Sequence, residues 1–293
     1  MRATFNHSKN KAFLGFLSFL GAGLLLLGPQ PAPDPTHLQE KTWMSDIGPH
    51  TLKSTLPTFS PHCTLASQVL TVPQASPIGG YLWPRSSKGP SNIQMGVLLI
   101  GTAPQQIAIM SAEILLVTPH LAQMIKKRFA NLGIHKTLFT ATHTHSGPGG
   151  FGHEGLEKIV LGQDQDIETR LVNALAQALQ KALTQPMQPM SIAQARTNVL
   201  LRRTQSTEKL DDRIGLIQCG PNQLWVMHPA HPVTEENDER IHGDWPQLLI
   251  ETLKTQGFSE VLYASSSGGE VSLARPKGRE HTVKRMVKKK RYN

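Results

Sequence analysis

The sequence predicts an α/β fold: a mixed β-sheet layered with helices, forming a single catalytic-type domain behind an N-terminal apolar segment. Three observations carry this. Short runs rich in Val, Ile, Leu and Thr come in adjacent pairs separated by Gly, Pro and polar clusters, as hairpins require. Helical runs are interleaved with them. Strand pairs and helices in alternation argue for a mixed sheet and against a purely parallel, doubly wound one. With 293 residues, 39% of them hydrophobic, the chain has material for one good core.

Residues 1–28 open with Arg2, Lys9 and Lys11 and continue as an uncharged, Leu- and Phe-rich run from Ala12 to Gly28. This reads as a signal peptide or an uncleaved signal anchor, and either one implies export. Residues 29–70, rich in Pro, Ser and Thr, read as a linker and lead-in. The hydrolase-type domain is expected over 71–276 and a basic tail over 277–293. Lys284, Arg285, Lys288, Lys289, Lys290 and Arg291 supply much of the net charge of +9. That makes the tail a solvated extension or an attachment to anionic lipid headgroups. No aromatic platform accompanies the charge, so nucleic acid is not an expected partner. Cys63 and Cys219 belong to no Cys-x-x-Cys pair, and their pairing stays open.

Within the domain, Met95 to Ile100 and Gln106 to Met110 read as a hairpin across Gly101-Thr-Ala-Pro104. Ala112 to Phe129 is a helical stretch that Thr118-Pro119 starts afresh or kinks. Ile167, Leu171, Leu175, Leu179 and Leu183 recur every four residues, predicting a helix over 167–183 capped by Asp164 or Asp166. Strands are expected over 191–203, 213–218, 223–228 and 261–264, and a helix over 245–255. Four loops leave these strands, at His143, Arg202, His228 and Ser265, and loops held by a rigid sheet are where chemistry gathers.

The stretch Ala141-Thr-His-Thr-His-Ser-Gly-Pro-Gly-Gly-Phe151 carries the most chemistry. A strand ending at a Gly/Pro turn lets His143 and His145 face one way. Neutral imidazoles without a competing thiolate cluster favour zinc.

This stretch is similar to the signature of the neutral ceramidases and their shorter bacterial relatives. Other blocks resemble that family in the same order: Gly79-Gly-Tyr81, Gln106 to Glu113, Leu224-Trp-Val-Met-His-Pro229, Ile241-His-Gly-Asp-Trp-Pro246 and Val261 to Ser272. The resemblance implies a zinc amidase acting on an N-acyl amide or lipid substrate, such as ceramide, at a membrane surface. By it, His143 and His228 correspond to metal ligands, and His145 to a residue near the scissile carbonyl. One of Arg202 and Arg203 falls near a substrate-contacting arginine. Gly80 and Tyr81 match the early glycine-tyrosine loop, and Gly269 and Ser272 match a site-lining loop. The chain departs from that loop with Glu270 in place of Asp and Leu273-Ala274 in place of Pro-Asn. It also ends before the family's downstream zinc ligands, so Glu235, Glu236, Asp244, Tyr292 or a partner chain are the remaining sources of a third ligand.

Several residues keep a second reading. His228 ends an apolar run and is a core histidine or a ligand, with His231 as the nearby alternative. Asp244 reads first as an N-cap, and Glu113 as an outer-shell acceptor or a first-turn acid. At the level of function, the alternatives to a hydrolase are a noncatalytic family member binding lipid or metal, and a membrane-tethered polyanion binder.

Overall fold

The computed structural model describes residues 61–197, 200–202, 210–234, 239–266, 269 and 271–273. The chain divides into two units, Met1–Phe59 and Ser60–Asn293; the first lies outside the described residues, as do the apolar leader and the basic tail. Among the described residues no helix is long and apolar enough to cross a membrane.

Strand β1 (His62–Val72) pairs antiparallel along its length with β4 (Ser91–Ile100), and β4 pairs antiparallel with β5 (Ile107–Ala112). The latter two form the expected hairpin. β6 (Lys136–Ala141) adds on parallel to β5 after helix α1 (Pro119–Ala130). On the other side of β1 come β7 (Gln188–Arg196), β9 (Arg213–Cys219), β10 (Gln223–His228) and β11 (Glu260–Ser265). β10 and β11 are parallel, joined through helix α4 (Asp244–Thr255). The outcome is the predicted mixed sheet, eight strands in the order β11-β10-β9-β7-β1-β4-β5-β6. Short β2 (Pro77–Ile78) pairs with β3 (Arg85–Ser86), and β8 (Leu200–Arg202) with β12 (Val271–Leu273).

The period-2 alternation of the strands sorts their side chains into three cores. In β4, Ile93, Met95, Val97 and Leu99 face α1 and the long helix α3 (Gln165–Thr184), whose Leu171, Leu175 and Leu179 complete the largest cluster. The opposite face contributes Leu65 and Leu98 to a second cluster with Trp225, Leu262 and Ala264. The two halves of the sheet therefore double back and pack face to face. Gly96 permits that approach, since a Cβ there would overlap the Leu262 side chain. On the outer face of the second half, Leu224, Val226, Val261 and Tyr263 meet Trp245 and Ile250 of α4. Helix, sheet, sheet and helix make four layers.

Three expectations are corrected. The lead-in drawn to residue 70 contains β1, an inner strand hidden by its polar residues. Residues 112–118 are not helical: Thr118 is the N-cap of α1, its side chain accepting from Leu121 N–H, and Pro119 sits in the first turn, so the helix starts there. Asp244 is not the N-cap of α4 but its first residue, after Gly243. Helix α3 begins behind the Asp164 cap as predicted, and a short helix α2 (Gly155–Leu161) precedes it. Cys63 and Cys219 form a disulfide, Cα–Cα 5.4 Å, tying β1 to β9 across 156 residues.

Candidate metal centre

The site grows from the C-terminal ends of β5 and β6. Their parallel pairing continues one turn past the strands, with Thr142 N–H donating to Ala112 O at 2.9 Å and His143 N–H to Ile114 O at 3.1 Å. Thr142 and Thr144 are buried, and the Thr144 hydroxyl donates to His242 O while accepting from Ser146 N–H. This anchorage turns His143 and His145 together to the other side of the segment. His143 takes φ 66, a left-handed conformation uncommon outside glycine and one that marks sites held by their surroundings.

Both rings are fixed by backbone carbonyls. His143 Nδ1 lies 2.7 Å from Leu115 O, and His145 Nδ1 lies 3.1 Å from Gly80 O. Each ring therefore donates its Nδ1–H to a carbonyl and presents the Nε2 lone pair, the arrangement of metal-binding histidines. The third member is His231, in the loop after β10. Its N–H donates to Val271 O at 2.8 Å, and it bridges in parallel to Ser272. His231 Nε2 stands 3.0 Å from His145 Nε2, and one ligand atom from each of His143, His145 and His231 lies within 4.8 Å of the others. The ring centroids are 4.7 Å apart for His143 and His231 and 5.3 Å apart for His143 and His145.

His228 is not brought into this group. Strand alternation puts it with Leu224 and Val226 on the α4 face, where it is buried edge-on against Trp245 at 5.0 Å. Its Nδ1 accepts from Ala230 N–H at 3.1 Å, and burial pushes its pKa down to about 4. It is a neutral, hydrogen-bonded core histidine. The His-Pro pair that the fold brings to His143 is thus not the first in the sequence but the second, His231-Pro232. The physical signal was present: His228 falls on the strand, whereas His231 falls on the loop beyond it.

The other expected residues gather around the three rings to different degrees. Gly80, φ 111, brings its carbonyl to His145, and a Cβ at this position would stand 2.8 Å from His145 Cα. The Tyr81 ring meets His145 edge-on at 5.9 Å and carries the Arg85 guanidinium 4.5 Å from its centroid. Gly269 lines a cavity of about 350 Å³ with Leu115, Leu116, Ala141, His143, Ser265 and Ser266. Ser272 sits beside His231 through the bridge already described. Arg202 reaches this side through backbone pairing of β8 with Val271 of β12. Arg203, Glu270, Glu235 and Glu236 lie outside the described residues, as does Tyr292.

The two acids have structural duties. The Asp244 carboxylate accepts from the Thr234 backbone N–H and hydroxyl and from Trp245 N–H, holding the loop after His231 against α4. Glu113 is buried on the far side of the loop. It accepts from Gln94 N–H at 2.6 Å, and desolvation raises its pKa to about 7.

The donor set fits a zinc ion: three imidazoles, two with second-nitrogen partners, leave one coordination position open. No protein-family model matches the chain, and no curated protein sequence matches it. Solved structures do. A ceramidase complexed with C2 superposes with a TM-score of 0.61 at 14% identity, over 75% of this chain and 41% of that one. Neutral ceramidase from Pseudomonas aeruginosa gives a TM-score of 0.59 at 14% identity, over 76% of this chain and 42% of that one. At this identity the likeness establishes a shared fold, and the chain spans about two fifths of the length of these ceramidases.

Proposed function

We propose that this chain is an exported, zinc-dependent hydrolase of the amide bond in N-acyl lipids, working against a membrane surface. The observation that carries the reading is the convergence of three imidazoles, His143, His145 and His231, with His143 and His145 locked by backbone carbonyls so that Nε2 faces the common centre. A zinc ion held there would supply Lewis acidity for an amide carbonyl and would lower the pKa of a bound water to about 7.

The chain's own residues do the rest. Leu115, Leu116 and Ala141 make one wall of the cavity apolar right beside His143, a fit for an acyl chain. Ser265, Ser266 and Gly269 contribute the polar part of the same lining, suited to the amide and its headgroup. Tyr81 and Gly80 keep the His145 ring from rotating, so the centre is preorganised and not assembled on binding. One arginine of the Arg202-Arg203 pair is assigned to the substrate oxygen. Leu82 and Trp83, directly after Tyr81 in the chain, are 66% and 74% exposed, apolar side chains suited to a lipid interface. The fold shared with two ceramidases supports the amidase reading, and the Cys63–Cys219 disulfide supports an oxidising, exported location.

The test is hydrolysis of N-acyl sphingosines and shorter N-acyl amides by the purified full-length chain, with zinc supplied or removed by a chelator. The proposal expects turnover that disappears with the metal and falls at least about 10²-fold in His143→Ala, the lower end of the loss that follows removal of one electrostatic transition-state stabiliser. Turnover indifferent to chelation, or none on any amide with zinc bound, would reject it.

A further inference from the structure

A second convergence of metal-type donors lies apart from the centre just described: one ligand atom from each of His120, His153 and Glu168 falls within 4.8 Å of the others. Three separate elements deliver them. His120 is in the first turn of α1, behind the Thr118 cap and Pro119. Glu168 is in the first turn of α3, behind the Asp164 cap. His153 follows the Gly-Pro-Gly-Gly loop, where Gly152 N–H donates to Gly162 O at 2.9 Å and Phe151 bridges to Gln163.

The chemistry of the group is unusual for a simple ion pair. Glu168 is only 2% exposed, a burial that a carboxylate tolerates when its charge is compensated. His153 Nε2 stands 3.0 Å from both carboxylate oxygens, so one N–H cannot align with a lone pair of each. His120 Nε2 is 3.7 Å from Oε2, and its ring lies 3.8 Å, centroid to centroid, from that of His153. A carboxylate and two imidazoles each bring a nitrogen or oxygen that can serve as a metal ligand to one point.

We propose that His120, His153 and Glu168 form a second zinc site. A tetrahedral zinc with bonds of about 2.0–2.2 Å spaces its ligand atoms about 3.3–3.5 Å apart. The distances from the carboxylate to the two imidazoles, 3.0 and 3.7 Å, bracket that spacing. Two imidazoles and a carboxylate suit zinc, and the partly exposed faces of His120 and His153 leave an entry path for the ion and a place for water as fourth ligand. The ion would cross-link the first turns of α1 and α3 to the end of the loop that begins at His143. The site does not rest on the role given to His143, His145 and His231.

The experiment strips the full-length chain with a chelator, reloads it with zinc alone, removes excess by dialysis and counts zinc per chain by mass spectrometry. Wild type is compared with His120→Ala, Glu168→Gln, His143→Ala and the His120→Ala/His143→Ala pair. His120→Ala is expected to lose one equivalent that His143→Ala keeps, and zinc to raise the melting temperature of His143→Ala but not of the double variant. That pattern holds even if the His143 group binds no metal, in which case wild type carries one equivalent and only His143→Ala matches it. Because the His120 side chain is 47% exposed, its replacement is expected to leave the fold intact, which circular dichroism checks. Unchanged zinc content in folded His120→Ala overturns the proposal.

Discussion

Replacing His228 by asparagine separates a core histidine from a metal ligand. The Asn Oδ1 takes the position of the imidazole Nδ1 that accepts from Ala230 N–H, so the hydrogen bond survives while the titrating ring is gone. Burial lowers the His228 pKa from 6.5 to about 4. The sign follows from linkage. In the unfolded chain the ring takes up a proton below its ordinary pKa, but in the folded chain it resists until about 4, so stability is whole above about 6.5 and declines as pH falls toward about 4. The decline amounts to about 3 kcal/mol in all, and about 2 kcal/mol between pH 7.5 and pH 5. Urea unfolding of wild type and His228→Asn at those two pH values measures it, with other titrating groups common to both. At pH 7.5 the variant is expected to be less stable by about 1 kcal/mol or more, through loss of the edge-on contact with Trp245. That deficit should close or reverse by pH 5. An unchanged deficit at both pH values would refute the burial argument. Loss of zinc from His228→Asn would refute the assignment of His228 to the core.

Glu113 acts in the opposite direction. Its pKa is raised from 4.5 to about 7, so it costs stability as pH rises through that window, when the unfolded carboxyl ionises and the buried one does not. Glu113→Gln is expected to match wild type near pH 4.5 and to exceed it by up to about 3 kcal/mol at pH 8 in the same unfolding assay. Gly80→Ala puts a Cβ 2.8 Å from His145 Cα at φ 111, so it should lose at least about 2 kcal/mol of stability and weaken zinc binding together. Wild-type zinc affinity in that variant would show that Gly80 does not position His145.

The sequence reveals elements whose pattern is local. The four-residue leucine repeat of α3 and its Asp164 cap, the β4–β5 hairpin and the apolar run of β10 are legible because side-chain period and turn residues act within a few positions. β1 is not, because Thr64 and Gln68 on one face and Ser67 on the other break its apolar runs, and its pairing with β4 rather than composition makes it a strand. The doubling of the sheet is illegible for a related reason: it depends on Gly96 and Leu262, distant in sequence, sharing one space. At the site, His143 and His145 stand out from the His-x-His pattern before a Gly/Pro turn. His231 is legible only through the boundary of β10: with the strand ending at His228, that residue lies on the strand and His231 on the loop beyond it. The second group is hidden further, as His120, His153 and Glu168 sit on three elements and share no motif.

The most direct measurement is the position of zinc in crystals of the zinc-loaded chain, located by anomalous scattering. The account predicts a peak about 2.0–2.1 Å from Nε2 of each of His143, His145 and His231. A zinc held by His228 in place of His231, or no peak among the three rings, would contradict it.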